Sequence, residues 1–390
     1  MTEAAQSPPL MHMTTPPPLT GLRVLELARI LAGPWICQTL ADLGATVIKV
    51  EGPKGDDTRS WGPPFHEDGT ATYFHCANRG KRSIALDFRD PDDLALVQRL
   101  AADADVVVEN FKTGGLAKFG LDYESLAAAN PRLVYCSVTG FGQTGPARHL
   151  PGYDFIIQAM SGVMDVTGDP DGPPMKTGTA LADLFTAMYG IVAIEAALLQ
   201  RETTGRGRWI DMALLDSMMA ALANQASGYL ITGAVPTRLG NTHPSIVPYQ
   251  EFRASDGPLV IACGNDGQFA ALCTAFGTDW HEDARFATNP ARLAHRAEIV
   301  ARVQAEVDGH TRDALLEMME TAGIPAGPVN TLAEAYAMPQ AVARGLAQDM
   351  GSSRTAACPI RFADGPLAAA EAPPALDAHG AAVRARGWDV

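Results

Sequence analysis

The sequence lacks the short motifs that mark several common protein classes. Its 390 residues include six cysteines and nine histidines, yet there is no CxxC pair, no HxxxH or HExxH spacing and no GxSxG elbow. These absences disfavour zinc ribbons, helix-borne metal sites and serine hydrolases built on that elbow, so we predict no metal site. Because the cysteines lie mostly inside apolar segments, we interpret them as small buried residues in a reducing compartment.

Basic residues are also scarce. The chain carries 30 lysines and arginines against 44 aspartates and glutamates, which gives a formal net charge of −14. Such a surface repels nucleic acid and anionic membranes, so we predict neither as a partner. An anionic ligand would have to bind in a local basic pocket.

Long apolar runs and targeting signals are missing as well. No uninterrupted apolar stretch reaches the roughly 18 residues of a membrane span. The Pro-rich segment 1–19 lacks the basic region and the apolar core of a signal peptide. We therefore predict a disordered, flexible tail over 1–19 and a cytoplasmic protein.

What the sequence does contain is a regular alternation of strand and helix patterns. The alternation runs from Gly21 to Val138 and predicts an α/β fold with a doubly wound parallel sheet. Segment 233–243 is rich in Gly, Pro and Thr, which is typical of a linker. Since a chain of this length fits two domains, we predict a large domain over 20–224 plus 325–390 and a small domain over 225–324.

One carboxylate stands at the start of a long apolar helix pattern. Asp183 lies within Gly178-Thr-Ala-Leu-Ala-Asp-Leu184, and the apolar run continues to Leu199, long enough for about five helical turns. In a first turn, a carboxylate gains from the helix dipole and from unpaired N–H groups, so it can stay ionised while partly desolvated. Such a group can attack an activated acyl group. A plain helix cap is the alternative, and position alone leaves both interpretations open.

Two further motifs indicate contact with an anionic ligand. Gly140-Phe-Gly-Gln-Thr-Gly145 has the spacing of a dinucleotide fingerprint, but Pro146 and Pro151-Gly152 form a loop where the cofactor helix should begin. This disfavours a dehydrogenase, although the glycines still let backbone N–H groups approach an anion. Asn78-Arg-Gly-Lys-Arg82 concentrates three cations at a predicted turn. This pattern fits a phosphate-binding site and a solvent-exposed basic turn equally well.

Taken together, ordered segments resemble the class III CoA-transferases, the CaiB/BaiF family that includes formyl-CoA transferase and α-methylacyl-CoA racemase. The resemblance extends from Gly21 to about Pro366. The segments that carry it include Ala32-Gly-Pro34, Leu43-Gly-Ala-Thr-Val-Ile-Lys-Val-Glu51, Asn78-Arg-Gly-Lys-Arg-Ser83, Val108-Glu-Asn-Phe111, Gly140-Phe-Gly142, Ala182-Asp183, Thr204-Gly-Arg-Gly207 and Ile324-Pro-Ala-Gly-Pro328.

The resemblance implies a fold and a nucleophile. The fold is a Rossmann-like large domain with an inserted smaller α+β domain, in an interlocked, ring-like homodimer. The nucleophile is Asp183, which forms an acyl anhydride and then an aspartyl-CoA thioester. CoA thioesters would be substrates, and no cofactor would be bound permanently.

The resemblance also implies a CoA site. The residues that it places there are Leu31, Ala32, Asn78, Arg79, Lys81, Asn110, Phe111, Lys112, Lys118, Thr139, Gly140 and Gly142. Many relatives have an arginine that meets CoA phosphate where this chain has Gly52. We expect Lys49, Lys54 or Arg79 to replace that contact.

Within the family, the first division is between transferases and racemases. A racemase needs a base on each face of the centre that it inverts, and its histidine lies in a Gly-His-Asp motif. This chain has Gly152-Tyr153-Asp154, and a neutral tyrosine cannot readily replace that base. The sequence therefore favours a transferase, with an isomerase of the racemase type or a CoA-binding protein without turnover as alternatives.

Segments 240–250 and 262–269 resemble family members that act on dicarboxylates. This implies succinyl-CoA as donor and glutarate as first acceptor, with itaconate, malate and mesaconate as rivals. The free carboxylate of such an acid needs a cation or several hydroxyl and amide donors. We expect the Gly264–Gly267 turn to act as a lid. The substrate residues that we predict, each of which could equally be part of a turn or of the core, are Tyr153, His243, Ser245, Tyr249, Gln250, Gly264, Gly267 and Arg292.

Overall fold

The computed structural model describes residues 15–390, which divide into two compact units. The large unit comprises the chain up to Val163, Thr177–Thr232 and Gln340–Val390, and the small unit comprises Met164–Lys176 and Gly233–Pro339. The boundaries predicted at 225 and 325 differ from those of the structure at 233 and 340, and no sequence feature marked 164–176 as part of the small unit.

Most of the predicted flexible tail, residues 1–14, lies outside the described residues. The end of that tail is ordered, since the Leu19 N–H donates to the Leu43 carbonyl at 2.8 Å. Pro17 lies close to Gly44 in the same place. Ordered structure therefore begins before the predicted boundary at residue 20.

The large unit is built on a six-stranded parallel sheet in the order β3-β2-β1-β4-β5-β6. This is the doubly wound order, in which the chain reverses direction across the sheet between β1 and β4. Buried Val, Ile and Leu fill the central strands, as expected for a sheet covered on both faces. The strands are β1 Arg23–Leu27, β2 Thr46–Glu51, β3 Lys81–Ala85, β4 Val106–Glu109, β5 Val134–Thr139 and β6 Trp209–Ala213.

Helices connect these strands and cover the sheet. Several begin with clear caps; for example, the Asp90 carboxylate accepts from the N–H groups of Asp92 and Asp93. The helices up to the small unit are α1 Ala32–Asp42, α2 Thr72–His75, α3 Pro91–Ala102, α4 Tyr123–Ala129, α5 Asp154–Met160, α6 Val163–Val166, α7 Leu181–Thr204, α8 Leu214–Ala221 and α9 Ala223–Thr232, with 3-10 turns at Asp57–Ser60 and Ala117–Phe119.

Helix α7 is the long apolar helix that the sequence predicts. In the described part of the chain, it alone is long and apolar enough to cross a membrane, and 39% of its most apolar window is buried. It packs closely on α1, because a Cβ added at Gly190 would lie 2.7 Å from the Ile36 side chain. Close helix contact of this kind requires a glycine.

The small unit has a three-stranded antiparallel sheet in the order β7-β8-β9, with its own core around Phe252, Phe269 and Phe286. The helical segment 289–307 is interrupted at His295, whose backbone is not helical. The elements are β7 Tyr249–Ala254, β8 Gly257–Ala262, β9 Ala326–Pro328, α10 Asp266–Phe276, a 3-10 turn at Trp280–Glu282, α11 Asn289–Ala294, α12 Arg296–Val307, α13 Arg312–Thr321 and α14 Leu332–Ala337.

The C-terminal segment returns to the large unit. A short hairpin precedes a final helix, and Trp388 packs into the core of the large unit. The elements are α15 Pro339–Ala343, β10 Ala347–Asp349, β11 Arg354–Ala356 and α16 Gly380–Arg386.

Candidate active site

The carboxyl edge of the parallel sheet brings several predicted residues together. Leu31 and Ala32 follow β1 and start α1, Asn110 to Lys112 follow β4, and Thr139 to Gly142 end and follow β5. Asn110 joins two of these loops directly: its Nδ2 donates to the Arg29 carbonyl at 2.7 Å, and its Oδ1 accepts from the Arg29 N–H at 3.0 Å. Ligands of doubly wound sheets bind at this edge, at the point where the strand order reverses.

The turn between β1 and α1 is held in an unusual conformation. Ile30, just before Leu31, has a φ of 72°, which is rare and costly for a β-branched residue. The buried Asp56 carboxylate accepts from the Ile30 N–H at 3.3 Å and also binds the Lys49 ammonium at 2.9 Å. This tertiary contact fixes the backbone directly before Leu31 and Ala32.

Gly140 and Gly152 touch through their backbones. A Cβ on Gly140 would lie 2.5 Å from the Gly152 Cα, and the reverse distance is 2.4 Å. Both positions therefore need glycine. The contact presses the loop after β5 against Gly152 and Tyr153, at the start of α5.

Asp183 lies at the same edge of the sheet. The far end of α7 is anchored at the amino edge, where Arg201 binds the Asp105 carboxylate at 3.0 Å and the Arg132 carbonyl at 3.2 Å. Asp105 directly precedes β4. Because 24 residues of helix span about 36 Å, the first turn of α7 reaches the carboxyl edge.

Asp154, rather than Asp183, caps α7. The Asp154 Oδ1 accepts from the N–H groups of Ala182 at 2.8 Å and Asp183 at 3.4 Å. Asp154 is itself held by the buried Gln158, whose Nε2 donates to its Oδ2 at 2.7 Å. The capping role that was the alternative interpretation of Asp183 is therefore performed by Asp154, a residue of another helix.

Asp183 is 9% exposed as a whole residue, and no hydrogen bond to its carboxylate comes from the described residues. Burial raises the pKa of the Asp183 carboxyl to about 7, and the Asp154 carboxylate adds to the rise. Tyr73 lies within electrostatic reach, since burial and then Asp183 raise the pKa of its hydroxyl to about 12. The sequence led us to expect that the helix start keeps Asp183 ionised. Desolvation acts in the opposite direction, because it favours the protonated carboxyl.

The Asn78 to Lys81 turn enters β3 at its amino end, and its cations are buried and paired. The Lys81 ammonium nevertheless reaches the first turn of α1, where it donates to the Pro34 carbonyl at 2.8 Å. The Arg79 Nε donates to Asp42 at 2.8 Å, and the Lys81 ammonium binds the Glu26 carboxylate at 2.7 Å and Asn78 Oδ1 at 2.9 Å. Lys49 is completely buried between Glu26 and Asp56. These contacts give the three cations structural roles, whereas Lys54 is exposed.

Exposed cations do occur near the carboxyl edge. Lys112 and Lys118 form no ion pair with the described residues, and both are exposed. Sequence reasoning did not single out Arg89, which is exposed after β3 and paired with Asp87 at 2.7 Å; the neighbouring Phe88 stacks on Phe111 with ring centroids 6.5 Å apart. The position of Arg89 just beyond a strand was the available signal. No comparable local signal marked Tyr73 or Gln158, and Asp154 was noted only as part of the Gly152-Tyr153-Asp154 motif.

The remaining predicted substrate residues belong to the small unit, apart from Tyr153, which is 54% exposed beside Asp154. The ring of His243 lies 5.1 Å from that of Tyr249, and its Nδ1 accepts from the Ser245 N–H at 3.0 Å. The Gln250 Nε2 donates to the Glu251 carbonyl at 3.4 Å.

Gly264 and Gly267 are both exposed in the turn that Asn265 caps at the start of α10. Arg292 is completely buried and binds Asp266 at 2.7 Å and two backbone carbonyls. Burial therefore gives Arg292 a supporting role behind this turn, which does not fit the predicted contact with substrate.

Known proteins share both the sequence and this architecture. The sequence profile of CoA-transferase family III matches residues 19–380. The chain therefore belongs to CoA-transferase family III. It is 55% identical over 341 residues to the succinate–glutarate CoA-transferase of Agrobacterium fabrum. This alignment covers 86% of this chain and 85% of that protein. It is 43% identical to the succinyl-CoA:glutarate CoA-transferase of Mus musculus over 93% of this chain and 84% of that protein.

A solved structure confirms the α/β fold of this CoA-transferase. The crystal structure of a CaiB/BaiF family protein from Brucella suis is 56% identical, with a TM-score of 0.87 over 94% of this chain and 98% of that one. The sequence-based assignment to this family is thus confirmed. As a CoA-transferase, the protein uses CoA thioesters as substrates.

Proposed function

We propose that this enzyme moves CoA from succinyl-CoA to a dicarboxylate, glutarate first, with Asp183 as the covalent relay. The observation that carries the mechanism is the Asp183 carboxylate itself, buried and without a hydrogen-bond donor among the described residues, at the sheet edge where ligands of this fold bind. The relatives from Agrobacterium fabrum and Mus musculus support the choice of substrates.

The reaction proceeds by two linked exchanges. An Asp183 oxygen attacks the succinyl thioester carbonyl, the C–S bond breaks, and CoA departs as the thiolate. The product on the enzyme is a mixed anhydride of succinate and Asp183. The thiolate then attacks the aspartyl carbonyl, which releases succinate and forms an aspartyl-CoA thioester. The acceptor carboxylate attacks this thioester to give a second anhydride, and CoA thiolate attacks its acyl carbonyl to give the new acyl-CoA and free Asp183.

Poor solvation suits a carboxylate nucleophile. A carboxylate that is deprived of water and of hydrogen-bond donors is more reactive, and a pKa of about 7 leaves a large ionised fraction at neutral pH. Water exclusion also protects the anhydride from hydrolysis. The exposed Gly264–Gly267 turn remains our prediction for the loop that covers the substrates.

The carboxyl edge provides the proposed CoA site. Lys112 and Lys118 are exposed cations that could meet its phosphates, and Arg89 could do so by exchanging its present partner, Asp87. The loop after β5 supplies glycines whose backbone allows close approach. Leu31, Ala32 and Asn110 would line the same crevice.

The large unit exposes an apolar surface that supports a homodimer. Helices α5, α7 and α8 pack together, and large apolar side chains are exposed along this group of helices and α9. A second copy of the chain is our proposed occupant, interlocked with the first. The exposed apolar residues include Phe155, Ile156, Met160, Met188, Tyr189, Val192, Leu199, Leu230 and Ile231.

The function is tested with a substrate panel. Succinyl-CoA is paired with glutarate, itaconate, malate, mesaconate, oxalate and formate, and new acyl-CoA is measured by mass spectrometry. We expect glutarate to be preferred and Asp183→Ala to be inactive, with at least about a 100-fold loss. A preference for formate would contradict the assignment, and rapid α-proton exchange of a 2-methylacyl-CoA in heavy water would favour the isomerase.

Covalent trapping distinguishes a transferase from a protein that only binds CoA. Incubation with succinyl-CoA followed by hydroxylamine should modify Asp183 in the wild type and leave Asp183→Ala unmodified. For the dimer, tagged and untagged protein are mixed under native conditions. Exchange of subunits within minutes would contradict interlocked chains.

A further inference from the structure

Three metal-ligand side chains meet in the segment between β2 and β3. His66, Asp68 and His75 each offer a ligand atom, and these atoms all lie within 4.8 Å of one another. Their rings and carboxylate belong to the large unit. The sequence spacing does not reveal the cluster, because His66 and Asp68 lie in a loop and His75 ends α2.

Both imidazoles are oriented by the turn between β10 and β11. His66 Nε2 contacts the Ser352 carbonyl, and His75 Nδ1 lies 2.8 Å from Ser353 Oγ. The other ring nitrogens therefore face Asp68. Metal-binding histidines characteristically use one nitrogen as ligand while a carbonyl or hydroxyl group holds the other.

The distances to Asp68 fit a shared cation. His66 Nδ1 lies 3.1 Å from Asp68 Oδ1, and His75 Nε2 lies 4.0 Å from Asp68 Oδ2. Ligand atoms around a tetrahedral zinc ion are about 3.3 Å apart, so the spacing of His66 and Asp68 already fits, and His75 must move toward them. The Asp68 N–H, now 3.3 Å from His66 Nδ1, would give up that weak contact.

A proton on His66 is the competing explanation. When Nε2–H donates to the Ser352 carbonyl, a neutral ring presents a lone pair at Nδ1 to a carboxylate oxygen, and two acceptors that close need a positive charge between them. A proton satisfies His66 and Asp68 but leaves His75 Nε2 beyond hydrogen-bond distance. A metal ion satisfies all three groups.

We propose that His66 Nδ1, the Asp68 carboxylate and His75 Nε2 bind a divalent first-row transition metal ion, with Zn²⁺ as the first candidate and water as the fourth ligand. Imidazole and carboxylate ligands suit this class of ion. The ion ties the loop that carries His66 and Asp68 to the end of α2. Because α2 also carries Tyr73, whose hydroxyl lies within electrostatic reach of Asp183, the ion helps to position that side chain.

The test uses the untagged full-length enzyme, since a histidine tag would bind the same metals. After dialysis against EDTA, the protein is titrated with Zn²⁺ in competition with a chromophoric chelator, and metal is counted by mass spectrometry. We expect one ion per chain. Asp68→Asn and His75→Gln should weaken binding at least about 100-fold, and Ser353→Ala by about 10- to 100-fold, because it orients a ligand.

His149→Asn is the matched control, since His149 is exposed and remote in sequence from the cluster, and it should bind Zn²⁺ like the wild type. Should a ligand variant fail to fold, Co²⁺ bound to the wild type gives a second readout through the visible bands of tetrahedral coordination. Absence of stoichiometric binding, equal loss in His149→Asn, or unchanged His66 and His75 NMR signals on Zn²⁺ addition would overturn the proposal in favour of the proton.

Discussion

Replacing Asp183 by asparagine should make the folded protein more stable while it abolishes transfer. The wild-type carboxyl has a pKa of about 7 in the folded protein against 3.8 for the free group, chiefly because of burial and then because of Asp154. When the pKa of a carboxyl is higher in the folded than in the unfolded state, ionisation lowers the free energy of unfolding. Stability is therefore lost as the pH rises from near 4 through 7.

The size of this effect follows from the shift. One pKa unit corresponds to about 1.4 kcal/mol, so the wild type should lose about 3 kcal/mol relative to Asp183→Asn between about pH 5 and pH 8. Asparagine does not titrate. Comparing the two proteins across pH therefore isolates ionisation from any constant effect of the amide on packing.

The assay is urea unfolding followed by circular dichroism at several pH values, with protein concentration fixed because association would also affect stability. Asp313→Asn is the control, since Asp313 also lies in the first turn of a helix, α13, but is exposed. A constant gap between wild type and Asp183→Asn would refute the reasoning, because it would mean that the helix start keeps the carboxylate ionised despite burial.

Three other predictions follow from the same geometry. Transfer should accelerate as the pH rises through about 7 and level off above it, because attack requires ionised Asp183; a flat profile of initial rates between about pH 5 and pH 9 would contradict this. Asp154→Asn should move that rise to lower pH, because Asp154 raises the pKa of Asp183, and should change the cap little, because an asparagine oxygen accepts from the same N–H groups about as well. An unshifted profile would show that Asp154 acts only as a cap. Gly140→Ala should destabilise the protein by more than about 1 kcal/mol in thermal unfolding, since its Cβ would lie 2.5 Å from the Gly152 Cα. Gly327→Ala, where a Cβ meets nothing within 4 Å, should have a much smaller effect, and equal losses would refute the contact argument.

Local sequence patterns determined the elements and the family. Apolar runs with the periods of strands and helices predicted the alternating order of the large unit, and ordered motifs from 21 to 366 identified CoA-transferase family III. Asp183 was recognisable because a carboxylate interrupts an apolar helix in its first turn. These features are encoded by neighbouring residues, so a single sequence reveals them.

Only the tertiary structure decided what each polar side chain does. Asp154 reaches the start of α7 from another helix, Arg79 is buried against Asp42, and His66 meets His75 through a loop. The pKa of Asp183 likewise depends on burial by residues far away in sequence. Charge, hydrogen bonding and desolvation act through space over a few ångströms, whereas sequence patterns record only neighbours along the chain.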